Sequence, residues 1–296
     1  MQFEYHVVDV FTQTPLEGNA LAVFPDARGL DASTMLRIAR ETNLSETTFI
    51  LPPERAGAAA KVRIFTPYRE MNFAGHPTIG TAYVLRERGI VSADVLNFGL
   101  EENVGVVPIR IDDGSNPIIW LTTPPITREG TYDRVKCAAA LGLSEKDLLP
   151  NAPCELYSAG NPNIFVPLID DAAVDRVSVD SAALHALLRE RSGPTCLFAF
   201  APTPQGAYSR MFAPELGIIE DPATGSATGP LAAYMMDHDL VPRADGTRFV
   251  SEQGTKMGRR SILHVFVHGE RRQQSIEVGG NVSPAMIGTL TLPEPA

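Results

Sequence analysis

The sequence predicts an α+β protein assembled from two similar halves, and three observations carry that expectation. First, Arg63 to Leu85 reads as a strand, a glycine-bearing turn and a helix that opens at Gly75-His76-Pro77. Second, the same design returns from Arg210 to Met235. Arg63-x-Phe65-x-Pro67 recurs as Arg210-x-Phe212-x-Pro214, 147 residues on (63 to 210), and Gly75-His76-x-Thr78 recurs as Gly225-Ser226-x-Thr228, 150 residues on (75 to 225). Third, Gly18-Asn19 is echoed by Gly160-Asn161 at a shift of 142 (18 to 160). The shifts keep one order along both halves, with the second turn three residues longer than the first. The chain's 24 Gly and 24 Pro imply many turns and hence a β-rich fold.

The elements follow from pattern and punctuation. Phe3 to Phe11 alternates as a strand, and Leu21 to Phe24 is its neighbour after the turn Leu16-Glu-Gly-Asn19. Asp31 is an N-cap for a helix from Ala32 to about Thr42, with Met35, Ile38 and Ala39 on one face. Asn43-Leu-Ser45 closes it, and Glu46 to Leu51 is a strand, so Glu46 stands at an element end. Lys61 to Phe65 leads into the first glycine turn and a helix ending near Gly89, where a positive φ is cheap for glycine. Strands are expected at Leu96–Phe98, Val104–Ile111 and Ile118–Thr122, before Pro124-Pro125 breaks the pattern and marks a domain boundary.

In the second half, Tyr132 to Leu141 reads as a helix and Ser144 to Asp147 as a capped helical turn. Ser181 to Arg191 is an amphipathic helix, the counterpart of the one after Asp31. Strands at Cys196–Phe200 and Tyr208–Phe212 lead to the second glycine turn and its helix. Strand-like runs follow at Arg248–Val250, Ile262–Val267 and Ile276–Val278, with a last strand near Gly288.

Composition narrows the function. Across 296 residues the net charge is −10 and the pI about 5.1, so no broad basic face is available for nucleic acid. No run approaches the roughly 18 apolar residues of a membrane span. The N-terminus has no basic segment followed by an apolar run, as a secretory signal would require. Cys137, Cys154 and Cys196 are odd in number and widely spaced, so neither a disulfide framework nor a zinc site is expected. A cytoplasmic protein is the expectation.

Chemistry is expected at the two glycine-opened helix starts. Each exposes unpaired first-turn N–H groups and the positive end of a helix dipole, and Gly75 and Gly225 allow close backbone approach. Two such ends would bind a small carboxylate without Arg or Lys. Singly, each is as readily an ordinary helix start, and the duplication favours the binding role. Asp221 to Gly229 lacks the Gly-Lys-Ser/Thr of a phosphate loop, and no Gly-x-Gly-x-x-Gly follows a strand. His264 and His268 share a strand face with no carboxylate evident in that strand, so neither a metal nor a cofactor is expected. Glu46, His76, Asp221 and Ser226 remain as polar residues at element ends, where acid/base groups are placed. Each also has a bland role: Glu46 a solvated edge, His76 a cap, Asp221 a turn residue before Pro222.

Taken together, Asn43-Leu-Ser-Glu46-Thr-Thr-Phe49, Arg63-x-Phe-Thr-Pro67, Phe73-Ala-Gly-His-Pro-Thr-x-Gly80, Glu220-Asp-Pro-Ala-Thr-Gly-Ser226, Gln253-Gly-x-x-Met-Gly258 and Val278-Gly-Gly280 resemble the PhzF-like (phenazine biosynthesis) family over nearly the whole chain. The resemblance implies a diaminopimelate-epimerase-like fold: two similar domains, each a curved sheet round a central helix, with the active site in the cleft between them. The domains expected are 1–125, completed by about 283–296, and 126–282. It also implies a cofactor-free homodimeric isomerase of a small cyclic or unsaturated carboxylate, as in trans-2,3-dihydro-3-hydroxyanthranilate isomerisation. By resemblance Glu46 is the acid/base, His76 and Asp221 act with it, and Gly75, Gly225 and Ser226 bind substrate. Racemases of this fold place a cysteine at each helix start. His76 and Ser226 stand there instead, which argues against amino-acid racemisation, as a carboxylate-binding role without turnover remains the other alternative. The chain departs from the family pattern at Ala20, Asn72 and Arg260.

Overall fold

The computed structural model describes residues 1–189, 195–269 and 274–293. The chain divides into two compact units, Met1–Thr122 with the chain from Gly279 on, and Thr123–Val278. The first unit runs β1 (Gln2–Val10), β2 (Asn19–Phe24), α1 (Ala32–Thr42), β3 (Glu46–Leu51), β4 (Ala58–Phe65), β5 (Glu70–Met71), α2 (Gly75–Glu87), β6 (Asn97–Glu102), β7 (Gly105–Ile111) and β8 (Ile119–Thr122). The second runs β9 (Thr127–Tyr132), α3 (Arg134–Ala140), β10 (Cys154–Ser158), β11 (Pro162–Pro167), α4 (Asp171–Arg176), α5 (Ser181–Leu188), β12 (Cys196–Thr203), β13 (Gly206–Ala213), β14 (Ile218–Asp221), α6 (Gly225–Asp237), β15 (Arg248–Gln253), β16 (Ser261–His268) and β17 (Ser275–Gly280). The chain then rejoins the first unit as β18 (Val282–Thr291).

Both units use one connectivity. β1 is antiparallel to β18 and β2, as β10 is to β9 and β11. β2 runs parallel to β3, as β11 does to β12. β4 and β6 are parallel, as are β13 and β15. The motif shifts read in the sequence therefore correspond to equivalent strands and helices.

The long helix of each unit is its centre. Gly75 to Ala82, Val84 and Leu85 of α2 are all buried, and α6 is buried along nearly its whole length. A helix buried on nearly every side is one surrounded by its sheet. The close approach needs Gly80, where an added Cβ would sit 2.7 Å from Leu21 and 2.9 Å from Val10. In the second unit β12 is buried on both faces. Phe198 and Phe200 pack with Leu231 and Tyr234 of α6, while Leu197 and Ala199 pack with Leu141, Leu184 and Leu187 outside the sheet. In the first unit α1 sets Met35, Ile38 and Ala39 against Phe24, Phe49 and Phe65.

The Arg-x-Phe repeats have one structural purpose. Arg63 Nε and Nη2 donate to the two oxygens of Glu70 at 2.7 and 2.6 Å, and Arg210 makes the same fork with Glu220 at 2.8 and 2.8 Å. Each guanidinium also lies over the phenylalanine two residues on, at 5.1 Å from Phe65 and 5.0 Å from Phe212. These pairs clamp the hairpins β4–β5 and β13–β14, from which the chain turns into α2 and α6.

Several elements differ from expectation. Tyr132 ends strand β9, and Asp133 caps a helix that begins at Arg134, two residues later than the pattern suggests. Thr127 to Tyr132 carries few apolar residues and is largely exposed, so alternation gave no signal. The short α4 was also hidden. The helix from Ser181 is described to Leu188, and its expected last residue, Arg191, lies outside the described residues. His268 does have a carboxylate partner, Glu277 at 2.8 Å, supplied by β17 rather than by its own strand. Among the described residues no helix is long and apolar enough to cross a membrane.

Candidate active site

Three element ends meet in the first unit. Asn19 opens β2, Glu46 opens β3 and His76 is the second residue of α2. The parallel pairing of β2 with β3 sets Leu21 opposite Glu46, which brings the carboxyl to the same end of the sheet as Asn19. All three side chains are buried. Asn19 Nδ2 lies 3.3 Å from His76 Nδ1, and His76 Nε2 lies 3.3 Å from Glu46 Oε2. An amide nitrogen only donates, so Nδ1 is the acceptor and the ring proton of the neutral imidazole resides on Nε2, the nitrogen nearer Glu46, although the Nε2–Oε2 contact does not have hydrogen-bond geometry.

A carboxyl this close ordinarily favours the charged imidazolium. Here burial prevails and pushes His76 down from the usual 6.5 to about 3. The contact is therefore one between a neutral ring and a carboxyl group, not an ion pair.

The second unit repeats the placement with other side chains. Asn161 Nδ2 lies 3.5 Å from Oγ of Ser226, the residue equivalent to His76. Asp221 ends β14, is 5% exposed and accepts a hydrogen bond from Thr224 Oγ at 2.5 Å. Gln253 holds the turn together: its Nε2 donates to Asp221 O and Thr224 Oγ, and its Oε1 accepts from Thr224 N.

Helix capping separates these two starts from the others. Asp31, Asp133, Asp170 and Asp180 each accept from a first-turn N–H of α1, α3, α4 and α5, at 2.7 to 2.9 Å. Such caps satisfy donors that the helix cannot. The α2 start follows Ala74, which has nothing to cap with. At the α6 start Thr224 is a residue suited to capping, but its hydroxyl is turned to Asp221 and makes no cap bond. Two helix starts built on glycine thus keep backbone donors and positive dipole ends without a side-chain cap, which suits an anionic group.

The arrangement groups Glu46, His76 and Gly75 in the first unit, and Asp221, Gly225 and Ser226 in the second. Chemically, the first group can move a proton through a buried carboxyl beside a neutral imidazole. Sequence reasoning did not single out Asn19, Asn161 or Thr224 for the site. The available signal for the two asparagines was their own repeat, at the shift of 142 (19 to 161). The departures bear on surroundings: Arg260 pairs with Glu252 at 2.7 Å, and the Asn72 carbonyl accepts from Val104 N at 3.1 Å.

Known proteins match this design closely. A family model described as phenazine biosynthesis-like protein matches residues 8–288. The chain is 36% identical over 291 residues to the trans-2,3-dihydro-3-hydroxyanthranilate isomerase of Pseudomonas chlororaphis, covering 97% of this chain and 99% of that protein. It superposes on the crystal structure of a Bacillus anthracis phenazine biosynthesis protein of the PhzF family with a TM-score of 0.87 and 26% identity, over 99% of this chain and 100% of that one. A hydroxyproline epimerase from Agrobacterium vitis shares the fold at a TM-score of 0.71 and 14% identity, over 99% of this chain and 94% of that one.

Proposed function

The chain belongs to the phenazine biosynthesis-like protein family and is an isomerase, and on that premise we propose that it relocates a proton within a small cyclic or unsaturated carboxylate, with Glu46 as the acid/base. The observation that carries this reading is the buried Glu46 carboxyl 3.3 Å from a neutral His76. Burial and a polar partner are what tune a carboxyl for proton transfer.

In the proposed reaction Glu46 takes a proton from a substrate C–H bond. The electron pair left behind forms a new C=C bond, and the electrons of the existing C=C bond take a proton at the far carbon from Glu46. Atoms and electrons balance within the substrate, so no cofactor is required. Neutral His76 places Nε2 3.3 Å from Glu46 Oε2, a close polar contact that lacks hydrogen-bond geometry and leaves that oxygen open to a substrate proton. By family resemblance Asp221 and Ser226 orient the substrate's ionisable groups, and the uncapped starts at Gly75 and Gly225 bind its carboxylate. The substrate of the P. chlororaphis relative is the first compound to try.

By the same resemblance, a racemase or epimerase of this fold would carry a thiol at each helix start. Here the cysteines are Cys137 in α3, Cys154 in β10 and Cys196 in β12, all buried, in no disulfide and at neither of the two helix starts. Cysteines outside any disulfide fit the reducing cytoplasm we propose as its compartment. We also propose a homodimer, an expectation carried by the family and tested by sedimentation equilibrium. Steady-state kinetics of Glu46→Gln and Glu46→Asp with trans-2,3-dihydro-3-hydroxyanthranilate tests the mechanism. The Gln variant is expected to be inactive and the Asp variant weakly active, whereas full activity of the Gln variant excludes Glu46 as the shuttle.

A further inference from the structure

Glu102, the last residue of β6, is fully enclosed and has no part in the reaction just described. Strand alternation places it on the face that meets α2, with Leu100 and, from the neighbouring β4, Val62 and Ile64. Glu101, Lys61 and Arg63 lie on the opposite face, where Glu101 accepts from the N–H groups of Glu54 and Arg55, and Arg63 is held by Glu70. From α2 the titratable group on Glu102's side is His76, which burial keeps neutral. Beyond it is Glu46, on β3.

The hydrogen-bond inventory at Glu102 determines its protonation. Thr78 Oγ lies 2.6 Å from Glu102 Oε1 and 2.7 Å from the Ala74 carbonyl oxygen. A hydroxyl has one hydrogen, and a carbonyl and a carboxylate only accept. Both short contacts are bonds only when Glu102 carries the proton and donates to Thr78, which then donates to Ala74. The second oxygen, Oε2, is buried and accepts no hydrogen bond from the described residues. That is tolerable for the carbonyl of a neutral acid and very costly for a carboxylate. Ala74 is the residue just before Gly75 and His76, so the chain Glu102–Thr78–Ala74 ends at the base of the uncapped helix start.

We propose that Glu102 is a positioning residue of this site: an un-ionised carboxylic acid that holds the α2 start through Thr78 and Ala74. It does so without placing a negative charge where the substrate's carboxylate is to bind. An anion there would neutralise the helix dipole that the ligand needs. The inference rests on the proposed carboxylate site for its consequence, and on the hydrogen-bond inventory alone for its protonation.

Two measurements on wild type, Glu102→Gln and Glu102→Ala test it. The first is denaturant stability against pH, which needs no substrate. Burial raises Glu102 from 4.5 to about 8. The native state therefore holds a proton that the unfolded chain releases, and wild-type stability falls as pH rises through that window. The Gln variant, which keeps the donor and cannot ionise, is expected to lose that part of the fall. A wild-type curve identical in shape to the Gln curve overturns the protonation. The second measurement is turnover of the isomerase substrate. Glu102→Ala is expected to raise KM about tenfold with a smaller change in kcat, since the helix start is displaced. In the wild type KM is expected to rise at alkaline pH as Glu102 ionises above about 8, and Glu102→Gln is expected to rescue most of the loss seen with Ala and to remove that alkaline rise. An Ala variant with the wild-type KM, or an alkaline rise that persists in the Gln variant, overturns the positioning role. Should no isomerase substrate be found, the stability curves still decide the protonation.

Discussion

Asn19 presents its amide nitrogen to Nδ1 of His76 at 3.3 Å, and that contact determines which nitrogen of the ring faces Glu46. Its counterpart is Asn161, 3.5 Å from Ser226 Oγ. One backbone design thus presents an imidazole at one helix start and a hydroxyl at the other, each oriented by an asparagine from the preceding strand region. Replacing Asn19 by Leu removes the donor and permits the other tautomer. Nitrogen-15 NMR of the His76 ring is expected to show a single Nε2–H tautomer in the wild type and a mixture in the variant. Turnover is expected to fall about tenfold or more as the imidazole beside Glu46 loses its fixed orientation.

His76 also predicts a pH dependence of stability. Its folded value, about 3, lies below the ordinary 6.5. Between those values the unfolded chain binds a proton that the native state refuses. The contribution is therefore fully present above pH 6.5 and is lost as pH falls toward 3, at up to about 1.4 kcal/mol per pH unit. Subtracting the pH–stability curve of His76→Gln from that of the wild type isolates it. Glu102 works in the opposite sense at higher pH, so the two variants should change opposite ends of the curve.

The two Arg–Glu forks should differ in strength. Arg210 and Glu220 side chains are 11% and 13% exposed, against 21% and 27% for Arg63 and Glu70. Arg210 Nη1 additionally donates to the carbonyls of Val174 and Val177. Arg210→Ala leaves a buried carboxylate and two carbonyls without their donor. It is expected to cost about 3 kcal/mol or more, and Arg63→Ala about 1 kcal/mol. Urea denaturation of both variants measures the order.

Gly80→Ala tests the packing of the central helix. An added methyl would meet Leu21 at 2.7 Å and Val10 at 2.9 Å. These are buried side chains with no open space to enter, so a loss of about 1–3 kcal/mol is expected despite alanine's better helix propensity. A calorimetric melting temperature at or above wild type would contradict this account of the helix–sheet contact.

The fold was legible in the sequence because it is said twice. A single Gly-His-Pro-Thr is an ambiguous helix start, whereas two openings with matched Arg-x-Phe-x-Pro strands before them specify a duplicated sheet and helix. What escaped lacked periodicity. Thr127 to Tyr132 is a largely exposed strand whose residues give no alternation, so Tyr132 read as helix. The candidate site residues Glu46, His76, Asp221 and Ser226 were found as polar residues at element ends. The roles of Thr224 and Glu102 were not legible, because each depends on a partner far along the chain: Gln253 for Thr224 and Thr78 for Glu102. Nor does any sequence pattern reveal that Thr224 declines to cap its helix, since threonine before a helix ordinarily signals a cap.

The most direct test of the central claim is proton NMR of the purified protein in D2O with trans-2,3-dihydro-3-hydroxyanthranilate, wild type beside Glu46→Gln. The account predicts isomerisation by the wild type with deuterium entering at the carbon that gains the proton, and neither conversion nor exchange in the variant. Conversion and deuterium entry at wild-type rates in Glu46→Gln would contradict it.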